Sequence, residues 1–272
     1  MKLTALSTLL LKPFNWIRKI RGFKLVYTPL LAIVLFTAVM GIILGTLHLQ
    51  EKGQQEAALF RELSFAKQRI QLRIANNTDA LNTINREITT STEDTKLRQL
   101  VRDQAEDLII NNHEIIKLIW MNSEGMPIWS APISNVKSDW NQKYQNDRLV
   151  KEGLASVIEL SRVTNRAAFS QFISTESSDD EPTSKDRRTV FWQVAPNIVG
   201  GQVTGFLAAL YTTQGILDVI PSDLKSYYRF TLLTDNDKVL AISSDRGTPK
   251  RAFSNQTSLD IGVLSPNLVL RI

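Results

Sequence analysis

The chain is 272 residues long and contains no cysteine, which excludes a disulfide scaffold, a thiolate-held zinc or iron–sulfur centre and a thiol nucleophile. Its two histidines, His48 and His113, are too few and too far apart in sequence for a multi-histidine metal site. Of the formal charge of +5, residues 1–24 supply six basic side chains (Lys2, Lys12, Arg18, Lys19, Arg21, Lys24) and no acid, and the remainder sets 26 basic against 27 acidic residues. The basicity belongs to a tail, so no nucleic-acid partner is expected.

Leu25 to Gln50 (LVYTPLLAIVLFTAVMGIILGTLHLQ) carries no charge. A bilayer core about 30 Å thick needs about 20 helical residues, so this run is long enough to span. Pro29 falls in the first turn, where a missing N–H costs little. The run is too long for a signal-peptide core and no small-residue cleavage site follows it, so an uncleaved anchor is expected. The basic tail places the N-terminus in the cytoplasm by the positive-inside rule and residues 50–272 outside it. An exported part without cysteine fits a bacterial periplasm, which makes the sequons Asn76-Asn77-Thr78 and Asn255-Gln256-Thr257 chance occurrences.

Residues 51–89 read as a helix continuing the span. Leu59, Leu63, Ala66, Ile70, Ile74, Leu81, Ile84 and Ile88 form a narrow apolar seam interrupted by Asn77. The seam suits packing on the helix's own domain and a dimer contact near the membrane, and the two are compatible. The stretch TTSTED stops this helix, with Ser91 and Asp94 resembling a capping box, and a second helix follows over 92–112.

The period then changes. Ile115–Met121 and Pro127–Ala131 read as a hairpin around Asn122-Ser123-Glu124-Gly125. An irregular stretch (132–147), a helix (148–164) and a strand (167–173) follow. Residues 174–187 (STESSDDEPTSKDR) lack large apolar groups and read as a loop. Strands at 188–195 and 203–211 flank a glycine-containing turn, and short connections favour antiparallel pairing. A helix over 213–225, interrupted by Pro221, leads to a second hairpin, 228–234 and 238–243. Residues 244–266 read as loop and 267–272 as a last strand. The chain stops inside that apolar run, so the expectation is an N-terminal fragment of a longer polypeptide with its second unit incomplete. The fold class is α+β: a transmembrane helix running into a long exported helix, then antiparallel-sheet units.

Enzyme signatures are missing: the chain has no G-x-S-x-G, no P-loop and no H-E-x-x-H. Glu176, Asp179, Asp180 and Glu181 lack the alternating spacing of a calcium loop, so neither metal nor cofactor is expected. A binding site is expected among Trp129, Arg166, Arg188, Trp192 and Tyr211, at or beside strands. Aromatic walls with a guanidinium suit a small organic anion, although tryptophans on strands also serve as ordinary core.

Three segments carry a family resemblance: LIWMNSEGMPIWSAP (118–132), RTVFWQVAPNIVGGQVTGFLAALYTTQGILDVI (188–220) and YYRFTLLTDNDKVLAIS (227–243). Together with the membrane helix and long exported helix, they resemble the double-Cache, or tandem PAS-like, periplasmic sensor region of bacterial transmembrane PAS-domain sensor histidine kinases. The resemblance implies a basic tail (1–24), a transmembrane helix (25–49), a helical stalk (50–112), a membrane-distal unit (113–212) holding a ligand pocket, and a partial membrane-proximal unit (213–272). It also implies a small-molecule ligand, an inner-membrane location and a homodimer. The close Tyr, Arg and aromatic-pair signature of amino-acid-binding Cache domains is not found. The sensor of a diguanylate cyclase or chemotaxis receptor, or a membrane-tethered binding protein without signalling output, are the alternatives.

Overall fold

The computed structural model describes residues 27–90, 95–132, 147–175, 188–243, 254–262 and 264–272. The expected Ser91–Asp94 cap, most of the 132–147 and 174–187 connections and the first part of the 244–266 one lie outside the described residues. The chain divides into two compact units, Met1–Ala57 and Ala58–Ile272.

In the first unit, helix α1 (Tyr27–Thr90) begins. Leu31, Phe36, Ile42 and Leu49 are 66–70% exposed there, and the helix is long and apolar enough to cross a membrane. Thr37 and Thr46 return their hydroxyls to the carbonyls of Ile33 and Ile43, so neither asks for water.

In the second unit, the seam of α1 is consumed internally. Leu63, Ala66, Ile70, Ile74, Leu81, Ile84 and Ile88 are all buried in the unit's own core, beside Val101, Ala105 and Ile109 of α2 (Thr95–Asn111). The seam packs on its own domain, as one of its two expected roles requires.

Two antiparallel sheets follow. The first contains β1 (Ile115–Asn122), β2 (Pro127–Ala131), β3 (Ala168–Phe169), β4 (Ile173–Thr175), β5 (Arg188–Val199) and β6 (Gln202–Thr212), with α3 (Arg148–Thr164) between β2 and β3. Its order is β2-β1-β6-β5-β3, with β4 also pairing β5. Short helices α4 (Thr213–Asp218) and α5 (Ser222–Tyr227), separated at Pro221, lead to the second sheet. That sheet holds β7 (Thr231–Thr234), β8 (Val239–Ile242), β9 (Gln256–Leu259) and β10 (Leu268–Arg271) in the order β8-β7-β10-β9. Both sheets repeat one plan: an opening hairpin whose first strand pairs with the last strand of the same sheet.

Two readings of the sequence need correction. The 244–266 stretch contains strand β9, whose residues QTSL bury only Leu259; a short edge strand with one core side chain leaves almost no periodic signal. The expected single strand at 167–173 is two pieces. Between them Ser170 turns its hydroxyl to accept from the Trp192 amide (2.8 Å), replacing a ladder bond by a side-chain bond.

The first sheet has a core on each face. One face packs on α1 and α2 through Leu118, Trp120, Leu207, Ala209 and Tyr211, and that core continues into Leu232, Leu240 and Leu270 of the second sheet. The other face packs on α3 through Met121, Val190, Trp192, Val194, Phe206 and Leu210. Thr213 joins the sheets, its hydroxyl lying 3.1 Å from both the Thr189 and Leu240 carbonyls.

Candidate ligand-binding site

Strand alternation sorts the side chains of β1 between the two cores. Leu118 and Trp120 face the long helices. Ile119, opposite Ala208, and Met121, opposite Phe206, face α3. Lys117 is opposite Leu210, and Leu210 is opposite Trp192, so these three residues form one row across the α3 face. A β-bulge between Ile115 and Lys117 re-aims the start of this strand.

Helix α3 is amphipathic and capped at its start by Asp147, whose side chain accepts from the Leu149 amide. It packs on β3, β4 and β5. Gly153 permits the approach, because a Cβ there would lie 2.5 Å from Ile173 Cδ1. The Trp192 indole Nε1 donates to the Val150 carbonyl at 2.9 Å. At the far end Arg162 donates to the Ser123 carbonyl (3.0 Å) and lies over the Phe206 ring at 5.4 Å.

Among the described residues this face is less filled toward β1 and β2. Ile116, Lys117, Ile119 and Ser130 are half-buried, and Ile128 is 58% exposed. Here lies the one charged side chain of the row. Among the described residues no carboxylate pairs with Lys117, and burial lowers its pKa from the ordinary 10.5. An ammonium above an apolar sheet face, with Ser130 nearby on the neighbouring strand, offers a cation and a hydroxyl to a small polar molecule.

The five residues expected to bind ligand are not gathered in one place. Trp192 lies on the α3 face, with its N–H already satisfied. Trp129, paired with Trp120, and Tyr211 lie on the opposite face. Tyr211 stacks on Phe191 with ring centroids 5.2 Å apart, and burial, then the Glu114 charge, push its ionisation upward. Arg166 is exposed in the loop after α3, and its carbonyl accepts from the Ser161 hydroxyl. Arg188 opens β5 opposite Thr175.

Two charged residues escaped the sequence reading. Lys117 is a lone cation inside the apolar run IIKLIWM, and that interruption was its signal. Glu114 immediately precedes β1 and is 2% exposed. Its Oε1 accepts from Arg73 Nε (2.6 Å) and Asn77 Nδ2 (2.7 Å), which explains the polar interruption of the α1 seam. The four-residue spacing of Arg73 and Asn77 places both on one helix face.

No protein-family model matches the chain, and no curated protein matches it in sequence. Solved structures do resemble it. An extracellular ligand binding receptor from Desulfohalobium retbaense DSM5692 superposes with a TM-score of 0.52 at 11% identity, over 79% of this chain and 39% of that one. The chain thus spans well under half the length of that receptor. The ligand-binding domain of the Pseudomonas fluorescens chemoreceptor CtaA, in complex with L-serine, gives 0.51 at 11% identity over 81% of this chain and 96% of that domain. The ligand-binding domain of the Pseudomonas aeruginosa PAO1 amino acid chemoreceptor PctB, in complex with L-Arg, gives 0.50 at 11% identity over 80% and 94%. At such identities the likeness is one of fold: the chain has the architecture of Cache-type ligand-binding domains of bacterial chemoreceptors. All three are ligand-binding receptors or domains.

Proposed function

We propose that residues 50–272 are the extracytoplasmic sensor region of a bacterial inner-membrane receptor, which binds a small molecule on the α3 face of the first sheet. The observation that carries this reading is the fold shared with ligand-binding domains, joined to a helix of membrane-spanning length. The N-terminal tail is cytoplasmic by its six basic residues. A sensor histidine kinase is the output module the sequence resemblance favours. A chemoreceptor is the second reading, favoured by the chemoreceptor domains among the structures the fold resembles. The face of α1 opposite its buried seam exposes Phe65 (43%) and Leu72 (60%), which supports a homodimer built on that face. Ligand capture biases two arrangements of the sensor, and α1 carries the bias toward the membrane.

The test is a thermal-shift screen of the full chain in lipid nanodiscs against amino acids, organic acids, sugars and polyamines. A ligand of the folded state raises the melting temperature with concentration. A screen in which nothing does so sinks the reading. Orientation is read separately, because the chain has no native cysteine. Thr83→Cys should react with a membrane-impermeant maleimide once the outer membrane is permeabilised, and Ser7→Cys should not.

A further inference from the structure

We propose that Lys117 anchors the acidic head of a small carboxylate whose apolar body lies along Ile119 and Ile128. This deepens the sensor reading and rests on it. Four observations converge. The side chain projects from the row shared with Leu210 and Trp192, on the face where α3 makes its main contacts with β3, β4 and β5. Its surroundings on that face are apolar: Ile116, Ile119 and Leu210. Among the described residues its ammonium has neither ion pair nor hydrogen bond, whereas the buried Glu114 at the same end of β1 accepts from Arg73 and Asn77. Burial also depresses its pKa, and among the described residues no carboxylate offsets the effect.

A half-buried cation without a counter-charge is a standing cost to the empty domain. A carboxylate removes that cost by a charge-assisted hydrogen bond, so binding an anion relieves the desolvation that folding imposes. Ser130, on the neighbouring strand and the same face as Ile119, supplies a hydroxyl to the second carboxylate oxygen. The apolar floor selects a short aliphatic body over a polyanion, which would bring a second charge against isoleucine side chains.

The experiment uses the full chain in nanodiscs and isothermal titration with 3-methylbutanoate, L-valine and succinate, with 3-methylbutanamide as the uncharged control. At least one monocarboxylate should bind, the amide should not, and Lys117→Met should weaken binding at least tenfold. Lys117→Arg, which keeps the charge, should retain binding within about threefold, separating charge from shape if the Met variant folds poorly. Equal binding of amide and carboxylate, or unchanged binding in Lys117→Met, overturns the anchor and leaves the sensor reading standing. Failure of all three carboxylates, while the broader screen finds a neutral or cationic ligand, also overturns it and leaves the sensor reading standing. Failure of every compound in both experiments overturns both.

Discussion

Arg73 on α1 and Glu114 at the mouth of β1 form an ion pair of 2.6 Å in which the carboxylate side is 2% exposed and the guanidinium side 35%. The arginine therefore works from the rim of the core while the acid sits inside it. Arg73 spends its second arm on the Asn111 carbonyl at the end of α2 (2.7 Å). The Glu114 carbonyl accepts from the Thr212 amide at the end of β6. One acid thus ties α1, α2, β1 and β6 together, in a helix–sheet interface that also holds the Gln193–Thr78 and Asn197–Asn85 hydrogen bonds. Apolar side chains tolerate sliding, whereas a buried charge has one matched position, so this pair, with the Thr78 and Asn85 bonds to β5, fixes the register of α1 on the sheet.

Removing one partner should cost more than removing both. Arg73→Met leaves a buried carboxylate held by Asn77 alone, and a loss of about 3 kcal/mol is expected, at the low end for buried pairs because Arg73 is partly solvated. Glu114→Gln keeps the shape and should cost less. The double variant Arg73→Met/Glu114→Gln should recover stability relative to the sum of the singles, since no uncompensated charge remains. Urea denaturation followed by circular dichroism reads all three, and strict additivity would count against a matched pair.

The desolvated Lys117 makes a prediction about pH. Its pKa in the folded chain lies below the ordinary 10.5, so between the two values the unfolded chain binds more protons than the folded one. Stability then rises as pH climbs through that window toward 10.5, and the burial cost is fully present below it. Lys117→Met lacks this titration. The stability advantage of Lys117→Met over wild type should be greatest near neutral pH and shrink on approaching pH 10.5, read from melting temperatures. A bound carboxylate should flatten the wild-type dependence, because it favours the charged form.

Gly205 on β6 marks where β1 and β6 come closest. A Cβ at this position would lie 2.5 Å from both the Met121 carbonyl oxygen and the Trp120 ring. The carbonyl belongs to the backbone and cannot swing aside. Gly205→Ala should destabilise by roughly 1–3 kcal/mol through overpacking, visible as a lower urea midpoint and a blue- or red-shifted Trp120 emission. A neutral substitution would mean that the strands separate more easily than their register implies.

Element types were legible where a period ran long enough. The α1 seam, the 148–164 helix and the β1–β2 hairpin all follow from apolar spacing, and the break at Pro221 follows from backbone chemistry. Strand β9 was not legible, because its pairing with β10 supplies the order that its own residues lack. The site was less legible than the fold. Aromatic residues on strands mark either face equally, and only register across β1, β6 and β5 separates Trp192 from Tyr211. Lys117 and Glu114 were visible as charges beside an apolar run, but their burial depends on what α1 and β6 bring from about forty and a hundred residues away, which local spacing does not encode.

Trp192 is a test of how firmly α3 is held over the sheet. Its indole Nε1 bonds the Val150 carbonyl in the first turn of the helix, and its backbone amide is bonded by the Ser170 hydroxyl. The ring is thereby held between β5 and the helix beside the proposed site. Trp192→Phe keeps an aromatic ring but drops the indole bond and part of the buried area, at an expected cost of about 1–2 kcal/mol. The loss should be local: amide exchange should accelerate in the first half of α3, near Val150 and Gly153, and stay unchanged in α1 near Ile70 and Ile74. If Trp192 only filled space in a shared core, both helices would lose protection together. If it positions α3, the exchange change stops at that helix and ligand dissociation quickens while the α1 seam stays closed.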